Sequence, residues 1–206
     1  MKIKSAPMGD YQTNCYIVTI NEKDIIIDPG MGATSWVKEN VTNPVAILNT
    51  HGHFDHVWSN QELKNDLNIP IYCPKDDCFM LKDDPFSKGS PTSTADIEVD
   101  ADESFDLDGI KIKFHHFPGH TPGCSAIEVI NQDDESSYEN ALFSGDFIFD
   151  GSIGRVDFPY SKPEDMKKSI NKVLSWDKDF HVYTGHGGST TLKKQTASLK
   201  NWLNYL

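Results

Sequence analysis

The chain has 206 residues, 37% of them hydrophobic, and carries 19 Lys+Arg against 31 Asp+Glu for a formal net charge of −12. That length is enough for one large domain with a proper core. The anionic field works against nucleic acid and anionic membranes as partners, but not against a small anionic substrate beside a bound dication. The longest apolar runs are only a few residues, so no membrane-spanning helix is expected. The N-terminus, Met1-Lys2-Ile3-Lys4-Ser5, lacks the apolar core of a signal peptide. A cytoplasmic protein is the expectation. Cys15, Cys73, Cys78 and Cys124 form no Cys-x-x-Cys pair and read as buried, reduced thiols. Cys124 follows His120 closely enough to border a site built there.

In chain order, Asn14–Ile20 and Asp24–Asp28 flank Asn21-Glu22-Lys23 and read as a hairpin, stopped by Pro29-Gly30. A short helix is expected over Thr34–Asn40, then a buried strand at Val45–Leu48. Gln61–Leu67 has helical spacing at Leu63 and Leu67, and Ile69–Cys73 reads as another strand. This alternation favours an α/β layout. Asp83–Ala101 is polar, with Pro85, Gly89 and Pro91, and reads either as a long loop walling a substrate pocket or as an insertion.

Ser104–Phe117 alternates across Asp108-Gly109, a turn pair that predicts a type I′ hairpin. Ser125–Ile130 and Ala141–Phe143 are further strands, joined by an acidic loop from Asn131 to Asn140. Ser161-Lys162-Pro163-Glu164 fits a capping box, followed by Met166, Ile170, Val173 and Leu174 on one helix face. A last strand, His181–Tyr183, precedes a C-terminal helix with Leu192, Leu199, Trp202, Leu203 and Leu206 inward. One domain spanning 1–206 is the simplest reading.

The stretch Thr50-His51-Gly52-His53-Phe54-Asp55-His56 follows the Val45–Leu48 strand and brings three imidazoles and a carboxylate onto one strand-to-helix turn. Imidazole with carboxylate suits zinc or iron; calcium and magnesium want oxygen alone. His120, Asp146 and His186 each follow a predicted strand and sit beside glycine, where the backbone can turn sharply. Strand ends that deliver polar groups to one rim are the usual way to build a sheet-based site. His115, His116 and His181 lack that setting. Asp28, closing a strand, reads either as an acceptor orienting a ligand imidazole or as a plain turn residue. Lys88 and Tyr160 are candidate contacts to an anionic substrate, and Arg155 and Asp157 are expected to pair and brace their loop.

With these residues in place, the sequence resembles the metallo-β-lactamase superfamily, whose His-x-His-x-Asp-His signature is met by His51, His53, Asp55 and His56. The resemblance implies a four-layered αββα sandwich with metals in the cleft between two sheets. It implies one ion on His51, His53 and His120, a second on Asp55, His56 and His186, and Asp146 bridging them. Through Pro118-Gly119-His120-Thr121-Pro122-Gly123 and Ser144–Asp157 the chain looks most like glyoxalase II and related short hydrolases. Trp58-Ser59 departs from the small residues usual in that family. The chain also stops soon after His186, leaving no room for the separate C-terminal helical domain that binds most of the glutathione in full-length enzymes.

The implied cofactors are two divalent ions, zinc first, with iron or manganese as alternatives. Two such ions about 3.5–4 Å apart share a water and lower its pKa to near 7. Asp55 would then accept a hydrogen bond from the metal-bridging hydroxide and aim it at a carbonyl. A thiolate leaves without a general acid, so the expected substrate is a small-molecule thioester, first an S-2-hydroxyacylglutathione. The alternatives are a mononuclear-iron persulfide dioxygenase and a hydrolase of another ester or lactone. A flavodiiron-type protein is disfavoured by His53, and a tRNA-processing nuclease by the net charge. The expected state is a monomer or small homo-oligomer.

Overall fold

The computed structural model describes residues 1–130 and 141–206; the expected acidic loop at Asn131–Asn140 lies outside the described residues. The first half of the chain forms a six-stranded sheet in sequence order: β1 (Lys2–Met8), β2 (Thr13–Ile20), β3 (Lys23–Ile27), β4 (Pro44–Leu48), β5 (Ile71–Pro74) and β6 (Ile97–Val99). β1 to β3 are an antiparallel meander. β3 to β6 run parallel, because helices make each crossover. These are α1 (Ala33–Asn40), then α2 (Phe54–Val57) with α3 (Asn60–Leu67), then α4 (Cys78–Asp83).

The second half opens with β7 (Ser104–Leu107), β8 (Ile110–His116), β9 (Ser125–Ile130) and β10 (Ala141–Gly145), all antiparallel neighbours. A small ribbon, β11 (Ile148–Phe149) with β12 (Ser152–Ile153), and helix α5 (Pro163–Leu174) follow. β13 (His181–Thr184) pairs parallel to β10, β14 (Thr190–Thr191) closes that edge, and α6 (Leu192–Trp202) packs last.

Strand periodicity sorts the side chains into three cores. Ile25, Ile27, Ala46 and Leu48 join Phe114, Ile127, Val129 and Phe143 between the two sheets. The intervening Ile26 and Ile47 pack with Ala33, Val37 and Leu63 of the helices on the first sheet's outer face. Leu142 and Val182 do the same against Met166, Ile170, Leu192 and Leu199 on the other side. Each strand buried on both faces reads as a continuous apolar run. The layers are helix, sheet, sheet, helix, the αββα sandwich expected.

Both anticipated hairpins form, each through two positive-φ residues of a type I′ turn: Asn21 (49°) with Glu22 (62°), and Asp108 (54°) with Gly109 (90°). Two expectations need correction, and one strand was not expected. The stretch 83–101 is not one long loop. α4 ends within it at Asp83, and β6 then pairs with β5 along the sheet edge. β1 went unread because it is an exposed edge strand with only Met8 buried. The capping box at Ser161 does not form. Lys162 precedes the helix with Pro163 in its first turn, and Ser161 Oγ donates instead to the His120 carbonyl at 2.7 Å.

Candidate metal centre

Asp28 initiates the site. At the end of β3 it adopts φ 49°, and its carboxylate accepts from the Thr50 amide at 2.8 Å and the Thr50 hydroxyl at 2.6 Å. The loop leaving β4 is thereby fixed at its first residue. The Thr50 hydroxyl lies 3.0 Å from His51 Nδ1, and Asp28 Oδ2 lies 3.0 Å from His56 Nδ1. With both Nδ1–H groups donating outward, the Nε2 atoms of His51 and His56 turn inward. Asp55 and His56 sit on the first turn of α2, and Thr13 Oγ1 donates to Asp55 Oδ2 at 2.7 Å.

The second sheet supplies the rest from its strand ends. His120, between β8 and β9, donates from Nδ1 to the Arg155 carbonyl at 2.8 Å. His186, after β13, donates from Nδ1 to the Tyr11 carbonyl at 3.0 Å. Asp146 follows β10, where Gly145 takes φ 49° and a Cβ would collide with the Thr50 side chain. At Gly185 a Cβ would collide with Asp146 Oδ1, so the chain closes on the centre only with hydrogen there.

These groups fall into two trios whose ligand atoms lie within 4.8 Å of one another: His51, His53 and His120, and Asp55, His56 and His186. Asp146 stands between them, with Oδ1 3.4 Å from His56 Nε2 and Oδ2 3.4 Å from His120 Nε2 and 3.5 Å from His186 Nε2. A third group, Asp28 with His51 and His56, is as compact. Its hydrogen bonds assign it to orienting those imidazoles.

Burial pushes His51 well below the ordinary histidine range and His53 down to about 3, with neighbouring imidazoles adding to the effect. Both present neutral rings. Burial acts in the same direction on His56 and His186, but the surrounding carboxylates outweigh it. Asp55, Asp146 and Asp28 raise His56 well above its usual value, and Asp146 and Asp55 raise His186 to about 9. Against burial, His56 and hydrogen bonds from His186 and Thr13 hold Asp55 down to about 2. His56 and His186 likewise hold Asp146 ionised.

A bound cation fits this donor set. His53 Nε2, His56 Nε2 and Asp146 Oδ1 are buried without a hydrogen-bond partner among the described residues; the last two meet only as a 3.4 Å charge contact, and a cation would complete all three. His51 and His53 as neutral imidazoles, His56 and His186 once they give up a proton to a metal, and the ionised carboxylates are the ligand types that zinc and iron favour. These His/Asp clusters are able to bind metal ions.

The centre opens into a cleft of ≈ 400 Å³ whose walls include Tyr11, Phe54, Phe86, Phe149 and Phe158. Lys88 and Arg155 also line it, and Phe86 and Lys88 come from the stretch expected to wall a pocket. Tyr160 does not line it. It is 48% exposed and packs its ring against Phe79 and Phe86. Cys124 does not border the site either, being fully buried in the core beneath α5, and all four cysteines are free and buried. His115 pairs with Glu128 at 2.8 Å, His116 reaches the Pro122 carbonyl, and His181 stacks near Tyr183, all away from the centre.

The sequence reading missed Asp77. It is fully buried and accepts from the Gly52 amide (2.9 Å), the Gly123 amide (2.6 Å) and Thr121 Oγ1 (2.6 Å). One carboxylate thus ties the His51–His53 loop to the His120 loop. Nothing in its local sequence, Lys75-Asp76-Asp77, separates it from a surface acid.

Fold and site together define a metallo-hydrolase with the metallo-β-lactamase architecture. A model of the metallo-β-lactamase superfamily matches residues 8–186, and the chain belongs to that superfamily. It is 33% identical to the hydroxyacylglutathione hydrolase GloC of Haemophilus influenzae, over 96% of each chain. Among solved structures it is similar to BLEG-1 B3 metallo-β-lactamase, with TM-score 0.83, 30% identity, and coverage of 95% of this chain and 97% of that one. It is also similar to TTHA1623 in a di-iron-bound form, with TM-score 0.76, 30% identity, and coverage of 95% and 98%.

Proposed function

We propose that the chain is a dinuclear metal-dependent thioesterase, acting on thioesters of the S-2-hydroxyacylglutathione kind. The observation that carries this reading is the pair of ligand trios with Asp146 between them. His51, His53 and His120 would hold one ion, Asp55, His56 and His186 the other, and Asp146 would touch both. When bound, two such ions supply Lewis acidity that activates water near neutral pH and stabilises charge on a carbonyl oxygen.

The remaining work falls to the chain itself. Asp55, ionised and oriented by Thr13, accepts a hydrogen bond from the attacking water and aims it. Asp28 keeps His56 in the tautomer that faces inward. A thiolate departs without a protein acid.

The likeness to GloC supports the glutathione thioester as first substrate, and the di-iron form of TTHA1623 supports iron beside zinc as a resident metal. A one-iron dioxygenase would leave the Asp55–His56–His186 trio without a role. The four buried thiols support a cytoplasmic setting, and no helix among the described residues is long and apolar enough to cross a membrane.

The test is hydrolysis of S-D-lactoylglutathione by protein of known metal content. Turnover that chelator abolishes and zinc restores is the expected result. A protein that holds two metals and cleaves no thioester overturns the thioesterase reading. A protein that holds one iron and consumes oxygen with glutathione persulfide replaces it.

A further inference from the structure

The cleft beside the centre has a chemistry that metal binding does not account for. Phe86 and Phe158 both meet the His53 ring edge to face, with centroids 4.9 and 6.0 Å away. Phe54 extends the wall beyond Phe86, 6.2 Å between centroids. The acids on the walls, Asp55 and Asp146, both belong to the ligand set, so the surface left for substrate is aromatic and cationic.

Its two cations differ in kind. Arg155 is engaged twice: it pairs with Asp157 through two hydrogen bonds of 2.9 and 2.7 Å, and its guanidinium lies 4.2 Å from the Phe158 ring centre. Its charge is matched and its plane is occupied. Lys88 is free. Among the described residues no carboxylate lies within 4 Å of its ammonium, which rests 5.7 Å from the centre of the Phe54 ring.

An unpaired surface lysine is ordinary by itself, but this one is held in place. The Asp84 carboxylate accepts from the Lys88 amide at 3.1 Å and the Gly89 amide at 2.7 Å, and its carbonyl accepts from Ser87. The backbone at Lys88 is fixed where the aromatic wall ends.

We propose that Lys88 is the anion-recognition group of this cleft. The substrate is then a thioester with one flat apolar arm, seated along Phe86 and Phe54, that ends in a carboxylate meeting the ammonium. This rests on the thioesterase reading for the reacting group and departs from it in the arm, because glutathione carries no flat apolar segment to lie along Phe86 and Phe54. The ordering of rings from His53 through Phe86 and Phe54 to Lys88 supplies the rest. An anion at the outer end of an aromatic arm gains the charge pair, while the arm covers the rings that would otherwise stay wet.

The test uses metal-loaded protein and two matched series of small thioesters. In one series a phenylmethylene group is on the acyl side, in the other on the thiol side. Each is made with a ring carboxylate, with its methyl ester, and with a methyl group in place of the whole arm. In at least one series the carboxylate should raise kcat/KM about tenfold over its methyl ester, as one charge-assisted hydrogen bond would. Lys88→Ala should bring that ratio towards one, Lys88→Arg should keep most of it, and added salt should shrink it. Phe86→Ala should lower the preference for the aromatic arm over the methyl group.

A ratio of one in both series, or a ratio unchanged in Lys88→Ala, overturns the proposal and leaves the thioesterase reading standing. Thioether analogues, which cannot be cleaved, carry the opposite separation. If no thioester turns over but calorimetry shows the carboxylate thioether binding more tightly through Lys88, the anion site stands and the thioesterase reading falls.

Discussion

Asp28 serves three donors with one carboxylate: the Thr50 amide, the Thr50 hydroxyl and the His56 ring. It is buried away from the cleft walls, yet it sets the direction of two imidazoles, directly for His56 and through Thr50 for His51. Outer partners of this kind are worth about 10–100-fold in metal affinity. Asp28→Ala should therefore weaken metal binding by that factor, read by chelator competition on purified protein. Binding as tight as in the parent would refute the orienting role. Thr13 acts in the same way on Asp55, through the 2.7 Å bond to Oδ2. Thr13→Val keeps the side chain's shape and removes that donor. It should lower kcat on a cleaved thioester, with KM less affected, because the aim of the attacking water changes more than substrate binding does. A kcat equal to the parent's would remove Thr13 from the site.

At the scale of elements, the centre depends on loops being held together across the sandwich, and Asp77 is the clamp. It precedes α4 on the first sheet's side and binds the backbone of both the Gly52 and the Gly123 loops. Burial pushes its carboxyl above the ordinary range, and the three donors pull it back. Asp77→Ala leaves two buried amides and a hydroxyl without their acceptor, a loss of about 2–3 kcal/mol on the scale of buried donors left unpaired. Chemical denaturation of the metal-free variant should show that loss, and the intact His51–His53–His120 trio should bind metal more weakly. A loss below about 1 kcal/mol would refute the clamp.

The contrast with the candidate ligands, which the structure brings together, explains what could be read in advance. His51, His53, Asp55 and His56 are legible because their spacing is local, one turn after an apolar strand. His120, Asp146 and His186 are legible because each pairs a ligand type with glycine at a strand end. Asp77 is not legible, since its partners lie 25 and 46 positions away in the chain. β6 and α4 escaped for a related reason: three and six residues hold too little periodicity to register. Ser161 has the pattern of a cap, but the His120 carbonyl takes its hydroxyl, a tertiary partner that no local pattern reveals.

At the scale of the molecule, the two sheets meet at the centre and are stitched there. Thr13 forms an isolated bridge with His186, the Asn14 amide donates to the Gly185 carbonyl at 2.7 Å, and Tyr16 donates its hydroxyl to Thr184 at 2.6 Å. Each ligand trio also draws on both sheets, so a bound ion cross-links the halves, and metal removal should lower the melting temperature. An ion at about 100 times its dissociation constant contributes about 2.7 kcal/mol, or roughly 5–11 °C for a chain of this size.

The pH dependence follows from His186. Burial alone would lower its pKa, but the hydrogen bonds and charges of Asp146 and Asp55 raise it to about 9 in the metal-free protein. A raised histidine contributes stability that is fully present below its unfolded value near 6.5 and is lost as pH climbs through about 9. Metal acts in the opposite sense, because a proton on His186 competes with the ion and is released on binding. Metal affinity therefore increases over the interval in which the metal-free protein weakens. The gap in melting temperature between loaded and chelator-treated protein should widen from pH 6.5 to pH 9, and loading at pH 7 should release protons, measured by calorimetry in buffers of different ionisation enthalpy. A gap that narrows, or loading without proton release, would mean that the carboxylates do not hold His186 charged and that the trio is not poised to exchange a proton for a metal.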